Sequence, residues 1–285
     1  MTHVPDVVGV IGGGRMGAGI AQVFAGAGAA VTIVESTEAA ADTARQRIAA
    51  GLRRAAEKQL TAEHPDVVLG RVHTVTALTS LPPSTGLVVE AVPENAAAKI
   101  GVLVAAEAVV ADSAILASNT SSLSIGELGA ALTRPQRFLG MHFFNPVPAS
   151  VLVEVVTGPA TAADTVDTVL GWVTALQKVS VLVRDTPGFA TSRLGVALGL
   201  EAIRMLEDGV ADAASIDRAM ELGYRHPMGP LRSTDLVGLD VRLAIAEHLH
   251  ATLGERFRPP QLLRDKVSRG ELGRKSGQGF YDWPA

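Results

Sequence analysis

DVVGVIGGGRMGAGIAQVFAGAGAAVTIVE, residues 6–35, is the stretch from which the fold follows. Residues 6–11 form a short apolar, β-branched run of strand length. Gly12, Gly14 and Gly17 then stand at the spacing G-x-G-x-x-G. Residues 15–27 carry Met16, Ile20, Val23, Phe24 and Ala27 at helical intervals. Gly28 marks the end of that helix, and residues 30–34 are a second apolar run. Glu35 closes the run about 20 residues beyond the glycines. Strand, glycine turn, helix, strand and acid make a dinucleotide-binding unit, a context that a bare glycine pattern lacks. Gly12 permits the tight turn, Gly14 lets a diphosphate approach the backbone, and Gly17 lets the helix pack close to the strand. Free N–H groups and the helix dipole receive the negative charge. Glu35 is expected to accept hydrogen bonds from the adenosine ribose and to repel a 2′-phosphate, so NAD is expected rather than NADP. The competing reading is a glycine-rich turn with no ligand; strand, spacing and acid together speak against it.

The chain of 285 residues has room for two cores. Its apolar content is largely alanine, and no uncharged apolar run reaches the about 18 residues of a spanning helix. Residues 1–5 have neither the basic start nor the apolar core of a secretory signal, so cytoplasm is the expected location and no membrane partner is expected. A net charge of −4 gives no electrostatic footprint for nucleic acid. Without cysteine there is no disulfide, thiolate nucleophile or cysteine metal site.

Residues 37–60 read as a helix bearing Arg45, Arg47, Arg53, Arg54 and Lys58. These cations are either a solvated face or a basic lip for a phosphorylated substrate handle. Breaks follow at 61–65 and at Pro82-Pro83. Strands are expected at 87–89, 114–117, 137–141, 151–156 and 179–183, and helices at 96–111, 124–132 and 161–176. Strands alternating with helices predict an α/β domain, a parallel, doubly wound sheet of Rossmann type, over residues 1–184. Asp185-Thr186-Pro187-Gly188 is a turn-and-cap sequence. Beyond it only helical patterns occur, broken at Gly209, at 227–230 and at Pro259-Pro260. Residues 185–285 are therefore expected to form an all-α C-terminal domain.

Ligands of an open α/β sheet sit beyond the carboxyl ends of its strands. Ser121 follows one strand by a few residues, and His142 follows another directly. Taking a proton from an alcohol needs a base, and imidazole titrates near neutral pH. A lone histidine after a strand is also a common structural residue. Glu154 changes the balance, because it interrupts the apolar run 151–156 and a carboxylate there is costly unless paired. Its natural partner is a histidine, oriented through Nδ1–H with Nε2 left for substrate. The alternative for Glu154 is the exposed face of an edge strand. The seven histidines show no metal-ligand spacing, and no metal is expected.

GGGRMGAGIAQVFA, AVPENAAAK, SNTSSLSI, MHFFNPVP, LVEVV, DTPGF, PMGP, GLD and GRKSGQGFYDW occur in that order from Val8 to Trp283. Together they resemble the L-3-hydroxyacyl-CoA dehydrogenase family in its single-function form. The resemblance implies a two-domain, homodimeric enzyme of fatty acid metabolism whose helical domain supplies the dimer contact. By motif, it implies that His142 is the catalytic base and Glu154 its partner, that Ser121 bonds the reacting oxygen, and that Asn145 lies beside nicotinamide and substrate. Met16, Glu94, Lys99 and Lys275 would hold the cofactor with the glycines and Glu35, and Lys58 would meet the CoA moiety. Three positions depart from the pattern. Ser192 stands where the family places an active-site asparagine, with shorter reach and no NH2. Gly51 stands for a CoA-contacting serine, and His226 for an aromatic residue. The expected reaction is NAD-dependent interconversion of a short-chain L-3-hydroxyacyl-CoA and the 3-ketoacyl-CoA, with Ser192 touching substrate. One alternative keeps the chemistry on a carrier-protein thioester, which Ser192 and Gly51 would suit. Two others are an NAD(H)-sensing binding protein without catalysis and a related sugar-acid dehydrogenase.

Overall fold

A computed structural model describes residues 3–59 and 63–284. In its first unit, β1 (Val7–Ile11), α1 (Arg15–Gly26) and β2 (Ala30–Val34) take up the opening stretch as read above. Gly12 has φ +92°, and a Cβ there would lie 2.9 Å from the Ala91 carbonyl oxygen. A Cβ on Gly17 would fall 1.8 Å from the Gly12 carbonyl oxygen, so only glycine lets α1 start this close to β1.

The chain continues through α2 (Glu38–Glu57), α3 (Pro65–Gly70), β3 (Val72–Val75), β4 (Leu87–Glu90), α4 (Ala96–Glu107) and β5 (Ile115–Ser118). It then forms α5 (Ile125–Gly129), β6 (Phe138–Phe143), β7 (Leu152–Thr157), α6 (Ala163–Ala175) and β8 (Val179–Arg184). Thr37 caps α2, its hydroxyl accepting from the Ala40 N–H. The expected end of α2 at Leu60, and residues 61–62 of the following break, lie outside the described residues. The eight strands form one sheet in the order β3-β2-β1-β4-β5-β6-β7-β8. From β3 to β6 the strands run parallel. Their interiors are apolar on both faces, as a sheet covered on both sides requires.

Two features correct the sequence expectation. Residues 71–75 were left without structure, yet β3 adds a parallel edge strand beside β2. Its sequence, with His73 and Thr74 half out of the core, carries too little apolar signal to declare itself. The sheet is also not parallel throughout, because β7 runs antiparallel to β6. The link between them, residues 144–151, is too short for a helical crossover, so the chain can only double back.

Strand alternation decides which side chains share a face. Leu139, Met141 and Phe143 of β6, and Val153 and Val155 of β7, enter the core built with Ile20 and Phe24 of α1, Ile48 of α2 and Val169 of α6. Phe24 and Phe143 meet edge to face at 6.5 Å. His142 and Glu154 must then both point to the opposite face.

A second compact unit begins at Thr186. It holds α7 (Thr191–Glu207), α8 (Ala213–Gly223), α9 (Pro230–Val237), α10 (Leu239–Leu253) and α11 (Gln261–Ser268). Leu200, Ile203, Ile216, Leu231, Leu249, Phe257 and Leu263 form its own core. Two buried carboxylates organise the end of the chain. Asp235 accepts from the Phe280 and Tyr281 N–H groups at 2.9 Å and from Trp283 Nε1 at 2.8 Å. Asp217 accepts from the Leu231 and Arg232 N–H groups at 2.8 Å and from the Tyr281 hydroxyl at 2.7 Å. No helix among the described residues is long and apolar enough to cross a membrane.

Candidate active site

Strand order reverses between β1 and β4, which opens a crevice at the carboxyl ends of the strands. The glycine turn forms one side of it. Gly14 caps α1 without any side-chain hydrogen bond, so the first N–H groups of the helix are not taken by a capping side chain. A Cβ built on Gly14 meets nothing within 4 Å. Open space over unclaimed backbone donors suits a diphosphate. Glu35 lies at the end of β2, where its Oε1 accepts from the Gly13 N–H at 2.5 Å and its Oε2 from the Ser36 N–H at 3.2 Å. The residues present therefore fit a dinucleotide, with an acid tied to the turn itself.

His142 and Glu154 are register partners on β6 and β7. Nδ1 of His142 lies 2.8 Å from Oε2 of Glu154. Glu154 is 0% exposed, so the exposed-edge alternative for it is overturned: β7 is an inner strand, with β8 beyond it. The Phe144 ring packs on the imidazole at 4.4 Å. The Asn119 side chain accepts from the Phe143 N–H at 2.9 Å and pins the end of β6 to the loop after β5. A cavity of ≈370 Å³ opens here, lined by Met16, Glu94, Lys99, Ser121, His142 and Asn145 among others. Five residues far apart in sequence thus share one cavity with the histidine.

The sequence reading missed what holds this cavity together. Glu90, the last residue of β4, is 0% exposed. Its Oε1 accepts from Lys99 Nζ at 2.7 Å and from the Val92 N–H at 2.6 Å, and its Oε2 from the Ser118 hydroxyl at 2.6 Å. Lys99 also donates to the Val92 carbonyl at 3.1 Å and lies 3.3 Å from Glu94 Oε2. Glu94 Oε1 accepts from the Thr120 hydroxyl at 2.6 Å, the Ser121 N–H at 3.0 Å and the Ser122 N–H at 3.1 Å. Burial works to raise the Glu94 pKa, but the Thr120 hydroxyl, the Lys99 ammonium and the Ser121 and Ser122 donors outweigh it and hold it below the ordinary value. The available signal was an acid at the end of an apolar strand, the same signal that exposed Glu154.

The other predicted residues lie elsewhere. Lys58 lines a separate groove of ≈490 Å³ with Arg15, Arg47 and Arg54. Of the cations singled out on α2, Arg45 turns away to donate to the Val72 carbonyl. Ser192 stands in the first turn of α7, and Lys275 is ion-paired with Asp240; both belong to the helical unit. A larger groove of ≈820 Å³ along Glu107, Arg134 and Arg137 is not a rival site, because its arginines are engaged by Glu107, Asp112 and Asp164.

Residues 7–186 match the family model for the NAD binding domain of 3-hydroxyacyl-CoA dehydrogenase, and residues 188–283 match that for its C-terminal domain. The chain belongs to the 3-hydroxyacyl-CoA dehydrogenase family. It is an NAD-dependent oxidoreductase of that family, as its motifs led us to expect. The probable 3-hydroxybutyryl-CoA dehydrogenase of Deinococcus radiodurans is 43% identical over 276 residues, covering 96% of this chain and 99% of the relative. The 3-hydroxybutyryl-CoA dehydrogenase of Mycobacterium tuberculosis is 44% identical over 293 residues, covering 99% and 100%. The crystal structure of (S)-3-hydroxybutyryl-CoA dehydrogenase from Ralstonia eutropha superposes with a TM-score of 0.94 at 38% identity, covering 99% of this chain and 100% of that one.

Proposed function

We propose that this 3-hydroxyacyl-CoA dehydrogenase acts on short-chain substrates such as 3-hydroxybutyryl-CoA, with His142 and Glu154 as its catalytic pair. The observation that carries the reading is the 2.8 Å contact between His142 Nδ1 and a fully buried carboxylate at the rim of the cavity. An ionised carboxylate can only accept, so Nδ1 keeps its hydrogen and Nε2 presents a lone pair. Nε2 takes the proton of the C3 hydroxyl while the C3 hydrogen leaves as hydride and the carbonyl forms. Glu154 stabilises the imidazolium. Bound NAD supplies the hydride acceptor, or in the reverse direction NADH the donor. Ser121 and Asn145 orient the reacting oxygen, and Ser192 contributes a hydroxyl from the helical domain. Gly12, Gly14, Met16, Gly17, Glu35 and Lys275 hold the cofactor. Glu94 and Lys99 we read as shaping the Ser121 loop as well as meeting it.

Names of the relatives support the short chain, and the cationic groove around Lys58 supports a phosphorylated handle. We place the reaction in the cytoplasm, assign residues 1–184 to cofactor and residues 185–285 to substrate and dimer contact, and take the working form to be a homodimer. The deciding assay is NADH oxidation against 3-ketoacyl-CoA thioesters of rising length, with NADPH as control. Four-carbon acetoacetyl-CoA should be turned over fastest, and His142→Ala should lose about 10²–10⁴-fold in kcat. Near-normal turnover by that variant would remove the assigned role. Gly51 keeps a second handle in view, so the same acyl group on a carrier protein belongs in the panel; preference for it would move the reading to a carrier-bound thioester.

A further inference from the structure

The groove that holds Lys58 is built from one face of each of two helices. α1 contributes Arg15, Ala18, Gly19 and Gln22, and α2 contributes Arg47, Ala50, Gly51, Arg54, Ala55 and Lys58. Small side chains make the floor and four cations the rim, with no carboxylate among the described lining residues. Gln22 is the exception to this division. It is a neutral amide, only 8% exposed, at the seam where this groove meets a second one of ≈410 Å³. Among the described residues its carboxamide makes no hydrogen bond. Buried amides are normally paired, and one that lacks a protein partner points to a ligand or water.

Gly51 explains why the amide sits as it does. A Cβ at position 51 would lie 2.3 Å from Gln22 Oε1 and 3.3 Å from its Cδ. The amide therefore fills the space that a side chain at 51 would occupy. It abuts α2 one turn before Arg54 and two before Lys58, on the same face. Where the family pattern has a serine hydroxyl, this chain offers a carboxamide instead, with a longer reach and two N–H donors.

We propose that Gln22 is a specificity residue for the phosphorylated end of the thioester handle, its NH2 donating to a phosphate oxygen held by Arg54 and Lys58. This deepens the thioester reading above and rests on it. The cations attract the phosphate through Coulomb forces that salt screens, and the amide adds a short, directional bond that fixes where the phosphate sits. The loss of the serine at Gly51 is then an exchange of one handle contact for another rather than the loss of CoA recognition.

The test compares Gln22→Glu and Gln22→Leu with wild type on two substrates, acetoacetyl-CoA and acetoacetyl-N-acetylcysteamine, which lacks phosphate. Gln22→Glu puts a carboxylate of the same size against the phosphate and should raise KM for acetoacetyl-CoA by tenfold or more, roughly the weight of one charged hydrogen bond. Gln22→Leu should raise it by a smaller factor. Both should leave kcat, the KM for NADH and the KM for the short thioester unchanged. Unchanged KM for acetoacetyl-CoA in both variants, or equal losses on the two thioesters, overturns the proposal. Wild-type turnover in the same plate separates this from the parent reading: a wild type inactive on both thioesters refutes the function itself.

Discussion

At Glu154 the chain hides a carboxylate completely, and that burial limits its role. An unpaired buried charge is too costly to persist, so the imidazole beside it is part of its reason for being there. Glu154→Gln keeps the shape and removes the charge. The variant should lose kcat while its NADH affinity, read by fluorescence titration, stays near wild type; a large loss of NADH binding would make Glu154 structural. Glu35 is a second residue whose charge can be tested alone. Its carboxylate is bonded to the Gly13 N–H and also faces the place where a ribose 2′-position is expected. Glu35→Gln should narrow the gap between NADH and NADPH in kcat/KM, chiefly by admitting the 2′-phosphate. An unchanged ratio would assign the discrimination to another residue.

Between elements, the buried Glu90–Lys99–Glu94 chain joins the ends of β4 and β5 to the start of α4. Removing one member leaves another buried and uncompensated. Glu90→Ala should therefore cost about 3 kcal/mol, the lower end for a broken buried pair, because Glu94 remains near the ammonium. Equilibrium denaturation reads this, and a change below 1 kcal/mol would contradict it. The Glu94 clasp on the Ser121 loop adds a pH dependence. Its pKa is held below the ordinary 4.5, so the ionised form is favoured by folding. The stabilisation is present above 4.5 and disappears as pH falls through the folded value. The stability difference between wild type and Glu94→Gln should thus be constant near neutrality and shrink in acid below 4.5; a difference that instead grew toward low pH would reverse the assignment.

For the molecule as a whole, each unit has its own core and its own buried polar anchors. Asp235→Ala removes the acceptor of three N–H donors in the helical unit. It should expose residues 186–284 to amide hydrogen exchange and leave protection in the sheet unchanged, since local stability follows local packing. Loss of protection across both units would show that they unfold together.

Much of this molecule was legible in the sequence because its signals are local. The glycine turn, both flanking strands, the change to helices after Asp185, and the pairing of His142 with Glu154 each rest on a short pattern with one cheap physical solution. The pairing was readable because a carboxylate inside an apolar run must find a partner. What only the tertiary structure decided depends on residues distant in sequence. β3 exists because β2 offers an edge, not because residues 72–75 demand a strand. The reversal of β7 comes from the length of a loop in three dimensions. The Glu90–Lys99–Ser118 cluster and the Gln22–Gly51 contact are made across elements. No periodicity along the chain records them, since alternation and helical spacing describe which way a side chain points and never what it meets.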